Sequence, residues 1–198
     1  MSTERVLVQD RIADQFIEKL IEKTRTIHAG NPTFKGNALG VLESQRAANR
    51  IRHLLEDAQS KGANLPLGIH IQDTVMQPTL VLNIQPEMLL YREESFGPVC
   101  TVQRFSSVEE GIALANDSEF GLSAAVFSQN IAQALDVAKQ IDSGICHING
   151  ATVHDEAQMP FGGTKASGYG RFGSKASIAE FTELRWITIQ TQPRHYPI

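Results

Sequence analysis

VCTVQRFSSVEEGIALANDSEFGLSAAVFSQNIAQALDVAKQIDSGICHI, residues 99 to 148, is the stretch that decides the fold. VCTVQRF is rich in β-branched and apolar residues and predicts a strand. Ser107-Val-Glu-Glu110 is a capping box, a hydroxyl followed three positions later by a carboxylate, and predicts a helix running to Asn116. LSAAVF predicts a second strand. Asn130 is placed to cap a second helix, with Ile131, Ala134, Leu135, Ala138 and Ile141 inward and Gly144 at its end. ICHI predicts a third strand. The order β-α-β-α-β with short connections predicts an α/β fold. Right-handed crossovers would make the three strands parallel, in a doubly wound sheet covered by helices.

Outward from there the pattern continues. RVLV (Arg5 to Val8) predicts a strand. Asp10 is placed to cap a helix with Ala13, Phe16, Ile17, Leu20 and Ile21 inward, which fades at His28-Ala-Gly-Asn-Pro. A second helix is expected from about Glu43 to Lys61, with Ala47, Ile51, Leu54, Leu55 and Ala58 inward and Gly62 as its stop. IHIQDTV and QPTLVLNI suggest extended segments. On the carboxyl side, Glu183-Leu-Arg-Trp-Ile-Thr-Ile-Gln has strong β character and is followed by Pro193. A late strand after a long loop need not join the parent sheet, and can pair with another chain.

GYGRFG, residues 168 to 173, spells the dinucleotide-binding fingerprint. That motif needs a strand leading in and a helix leading out, with the pyrophosphate at the helix N-terminus. The stretch before it is polar and Gly-rich, and only 25 residues follow Gly173. The glycines are therefore expected to serve a connector that visits positive φ or packs closely. Ligands of parallel sheets sit beyond the carboxyl ends of the strands. The loop after ICHI, NGATVHDEAQMPFGG, is accordingly expected to line a site.

The 198 residues are 41% hydrophobic and 20% charged, with a net charge of −4 and scattered Lys and Arg, so neither a nucleic-acid face nor a membrane patch is expected. No apolar run approaches the ~18 residues of a membrane span. MSTERVLVQDR lacks the apolar core of a signal peptide, so a cytoplasmic protein is expected. Cys100 and Cys146 sit in strand-like runs without zinc spacing. They are expected to be buried, reduced thiols.

EESFGPV (Glu93 to Val99), NDSEFGLSAAVF (Asn116 to Phe127) and MPFGGTKASGYGRFG (Met159 to Gly173) resemble the C-terminal half of an NAD(P)-dependent aldehyde dehydrogenase. ICHINGATVHDEAQMPFGG and the tail EFTELRWITIQTQPRHYPI most resemble the salicylaldehyde and vanillin dehydrogenase branch. The resemblance implies oxidation of an aromatic aldehyde to the carboxylic acid with NAD or NADP. In that chemistry a thiolate adds to the aldehyde, hydride passes to the nicotinamide, and a glutamate activates water for hydrolysis. It further implies a catalytic-domain segment over residues 1–180 and an oligomerisation strand and tail over 181–198, with a homo-oligomer formed through that strand.

The family's nucleophilic cysteine precedes a segment like STERVLVQ. By resemblance the nucleophile, the base, the oxyanion asparagine and the dinucleotide domain lie outside these residues. The chain alone is then expected to be inactive, and to show low solubility or strong self-association. The alternative is a non-catalytic interaction module. Residue by residue, Glu94 matches the glutamate that takes the ribose hydroxyls of the nicotinamide half, or is a surface acid. Phe96 matches a residue near the nicotinamide, or packs in the core. Phe161 matches an aromatic of the substrate tunnel, or anchors the Gly-rich loop. His154 faces the substrate mouth, or solvent. Arg50 contacts the adenosine ribose, or lies on a solvated helix face.

Overall fold

A computed structural model describes residues 3–197. The chain opens with β1 (Arg5–Gln9), α1 (Asp10–Arg25) and α2 (Gln45–Ser60). A hairpin of β2 (Ile71–Gln72) and β3 (Val75–Met76) leads into β4 (Thr79–Leu82) and the single turn α3 (Leu89–Arg92). Then come β5 (Val99–Phe105), α4 (Val108–Asn116), β6 (Phe120–Gly121), β7 (Ser123–Val126), α5 (Ile131–Ala138) and β8 (Ile145–Ile148). The two-residue β9 (Thr164–Lys165) and α6 (Ser174–Glu180) complete the order.

The parallel pairing is present, but the three strands expected side by side are not in one ladder. β5 is flanked by β1 and β4, both parallel to it, while β7 and β8 form a parallel pair of their own. The reason is elementary: a strand has two edges, and RVLV and TLVL occupy both edges of β5. A second short ladder, β6 with β9, is antiparallel.

The core divides between the faces of the three-stranded sheet. On one side Ile51, Leu54, Leu55 and Ala58 of α2 pack with Met76, Val81, Met88, Leu90, Tyr91 and Val99. On the other, Ala13 of α1 packs with Val8 and Val102, with Ile17 and Leu20 alongside. The expected α2 stripe holds, except that Ala48 is buried where Ala47 is half-exposed. Ser44 caps that helix by accepting from the Ala47 N–H at 3.2 Å, and Gly62 stops it at φ +98°.

Two expected caps differ. Asp10 is the first residue of α1, not its cap; Gln9 takes the cap position without a side-chain bond. In the 107–110 box, Ser107 Oγ accepts from the Glu110 N–H as expected, but the Glu110 carboxylate reaches past Ser107 to the N–H and hydroxyl of Ser106. Asn130 caps α5 as expected. Of the residues expected inward on α5, only Ala134 is buried, and Ile131 and Leu135 are exposed. The layer under α5 is two strands wide, too narrow to cover its whole apolar stripe.

Residues 183–190, expected as a strand, join no ladder among the described residues. Leu184, Trp186, Ile187 and Ile189 are all exposed, Trp186 by 91%. Among the described residues no helix is long and apolar enough to cross a membrane.

Candidate functional site

The turn Glu93–Gly97 enters β5 from α3, so it lies at the amino end of that strand, beside the amino end of β1. The turn is held on both faces of its backbone. Glu4, just before β1, accepts from the Ser95 N–H (2.7 Å), the Ser95 hydroxyl (3.0 Å) and the Phe96 N–H (2.9 Å). Arg50 of α2 donates to the carbonyls of Glu94 (3.0 Å) and Ser95 (2.6 Å). Arg50 thus clamps the turn and is not merely a solvated charge. Gly97 lets the turn lie against α2, for a Cβ there would stand 2.5 Å from Ile51 Cδ1.

Within this frame Ser95 is 1% exposed, and Phe96 is 77% exposed with φ +50°. Phe96 is therefore not a core residue. A left-handed φ on a bulky residue persists only where neighbours impose it. The Glu94 carboxylate is half-buried and accepts no hydrogen bond among the described residues. Burial, reinforced by the charge of Glu4 and opposed by Arg50, pushes its pKa upward. A carboxylate left without donors, beside an exposed ring, is suited to accepting hydroxyl groups from a ligand.

The loop after β8 returns to the same place. Thr152 shares a 2.7 Å hydroxyl–hydroxyl bond with Thr3, and its carbonyl accepts from Ser123 Oγ at 2.9 Å. Residues 3 and 4 therefore join the two loops: one side chain holds the 150s loop, the next holds the 93–97 turn. His154 is exposed on that loop, 3.3 Å from Glu156, with its ring edge-on to His147 at 5.5 Å. The His147 Nε2 atom is buried and has no hydrogen-bond partner among the described residues.

Phe161 pairs with Phe172 by two backbone bonds of 2.7 and 2.8 Å and by ring contact at 4.9 Å. Its demonstrated contact is thus with the Gly-rich loop. That loop behaves as a connector: Gly168, Gly170 and Gly173 have positive φ, and only the two residues of β9 stand in the place of a lead-in strand. Its base is clamped by the Lys165 ammonium on the carbonyls of Asn116 and Ser118.

Neither thiol is activated. Burial pushes Cys100 up to about 12, and burial raises Cys146 as well. A thiolate nucleophile requires the opposite shift. Two hollows, about 390 and 250 Å³, are open grooves along α1 and the ends of β4 and β5. They are lined by residues such as Ile17, Leu82 and Arg104, away from both loops. Among the described residues no cluster of metal-ligating side chains occurs.

A sequence profile described as the aldehyde dehydrogenase family matches residues 1–187. A vanillin dehydrogenase of Pseudomonas sp. strain HR199 is 57% identical over 198 residues, covering 100% of this chain and 41% of that protein. A salicylaldehyde dehydrogenase of Pseudomonas putida is 44% identical with the same coverage. The crystal structure of a salicylaldehyde dehydrogenase from Pseudomonas putida G7 complexed with salicylaldehyde superposes with a TM-score of 0.93 at 43% identity, over 98% of this chain and 40% of that one. A betaine aldehyde dehydrogenase from Staphylococcus aureus in complex with NAD+ gives 0.84 at 35% identity, over 90% of this chain and 37% of that one. The chain thus spans about 41% of the length of the curated relatives it matches.

Proposed function

The chain belongs to the aldehyde dehydrogenase family, and from that membership we propose that it forms one wall of an active site oxidising an aromatic aldehyde to the carboxylic acid with NAD+ or NADP+. The supporting observation is the convergence of the 93–97 turn and the 150s loop on residues 3 and 4. The family's nucleophile precedes a segment like this one, so both loops flank the point where a reacting aldehyde would sit. A bound nicotinamide supplies the hydride acceptor. Glu94 accepts from the ribose hydroxyls, and Phe96 presents its ring beside it. Phe161 and His154 lie on the substrate side, where an aromatic wall suits a flat substrate.

Cys100 and Cys146 are spectators, because the shifts that keep them protonated deny the chain a thiolate at neutral pH. The 198 residues alone therefore do not turn over an aldehyde. The test is dinucleotide titration of the longest natural reading frame carrying these residues. Glu94→Gln is expected to weaken NAD(P)+ binding by about tenfold, the loss of a charge-assisted pair of hydrogen bonds. Unchanged affinity would falsify the assignment.

The tail supports one further part of this reading. Residues 181–198 form an oligomerisation segment that adds to the sheet edge of a second copy, covering Trp186, Ile187 and Ile189. Ile187→Lys is expected to reduce the oligomer on size-exclusion chromatography; an unchanged elution volume counts against it.

A further inference from the structure

Glu4 has a more specific task than joining loops. Three donors of the turn converge on its two oxygens, and two of them, the Ser95 and Phe96 N–H groups, are consecutive amides. Arg50 meanwhile engages the consecutive carbonyls of Glu94 and Ser95. The backbone of the turn is therefore gripped through its amides by an anion and through its carbonyls by a cation. The left-handed φ of Phe96 lies at the centre of that grip. Such a conformation relaxes unless its surroundings over-determine it, and the Phe96 N–H has Glu4 as its partner.

We propose that Glu4 is a positioning residue for dinucleotide binding: by accepting from the Ser95 and Phe96 amides it imposes the strained conformation of Phe96, and so aims the Phe96 ring and the Glu94 carboxylate at the ligand. This rests on the reading of Glu94 and Phe96 as cofactor contacts. Charge is essential to the role. A carboxylate offers two acceptor oxygens, whereas glutamine offers one and turns an NH2 group toward N–H donors. The cost is borne at Glu94, whose ionisation the nearby Glu4 charge opposes.

The test is a mutant cycle on the longest natural chain carrying these residues, read by titration with whichever of NAD+ and NADP+ binds the parent more tightly. Glu4→Gln is expected to weaken binding about tenfold in the parent but less than about twofold in a Glu94→Gln, Phe96→Ala background, because Glu4 acts through those two contacts. Glu4→Ala, with melting temperature recorded alongside, repeats the cycle, so that a folding defect is seen separately. An equal loss in both backgrounds, or parental affinity in Glu4→Gln while Glu94→Gln binds weakly, overturns the role of Glu4 and leaves the cofactor reading standing. Parental affinity in Glu94→Gln overturns the cofactor reading itself, and the role of Glu4 with it.

Discussion

Glu94 carries opposite demands of stability and binding. Its pKa is raised by burial and then by Glu4, so the folded state holds the proton more tightly than the unfolded chain does. Ionising it therefore costs stability, and the cost appears as pH rises from the unfolded carboxylate value through the higher folded one. Glu94→Gln should melt higher than the parent at neutral pH and identically in acid, while binding dinucleotide less well. A parent that melts higher at neutral pH would contradict this. Binding by the parent should fall with acid at a pH above that of an ordinary glutamate, and the variant should lack that limb. The thiols give a second check. Cys100, held near 12, should resist iodoacetamide at neutral pH in the 198-residue chain and react only after denaturation. Rapid native labelling of Cys100 would show an activated thiol. Glu94 and Phe96 stood out through the EESFGPV motif. Glu4 did not, because its role depends on a contact 91 positions away that no periodicity encodes.

Elements with strong local signals were legible: the α2 stripe and its Gly62 stop, the Asn130 cap, the β7-α5-β8 order. Sheet membership was not, because it depends on which strands win the edges of β5. The motif NDSEFG shows the same limit. Asn116 bonds the carbonyl of Gln140 (2.7 Å) and the N–H of Asp142 (2.8 Å), tying α4 to the turn before β8. That is a structural clamp inside a family motif. Behind it, Gly144 meets the return leg of the site loop: a Cβ there would lie 1.8 Å from the Gly162 carbonyl oxygen. Gly144→Ala should cost about 3 kcal/mol in a denaturant melt, in the range of overpacking at a rigid contact. Gly150→Ala, where the nearest atom is His147 Cβ at 3.6 Å, should cost much less. Equal costs would mean that the contact at Gly144 relaxes. A third element test is the α3–α4 link. The Arg92 guanidinium, then the Tyr91 hydroxyl, hold Asp117 below the usual carboxylate range. Its stabilisation is present above the unfolded value of about 3.9 and lost as pH falls through the lower folded one. The melting difference between parent and Asp117→Asn should thus be full at neutral pH and vanish in strong acid.

At the scale of the molecule, apolar surface lies open in several places: Ile12 and Phe16 on α1, Ile131 and Leu135 on α5, and the tail from Phe181 onward. Ordinary monomers rarely leave so much uncovered. The 198-residue chain should therefore self-associate, and a sharp, concentration-independent melt of a monomer would argue against that. The two supporting loops and the spectator thiols lead to one central claim: these residues shape a hydride-transfer site but do not supply its nucleophile. Its most direct test is reduced-dinucleotide formation by the purified 198-residue chain given vanillin or salicylaldehyde with NAD+ and NADP+. The expected result is no turnover above the protein-free blank. Turnover that Cys100→Ser or Cys146→Ser abolishes would contradict the claim.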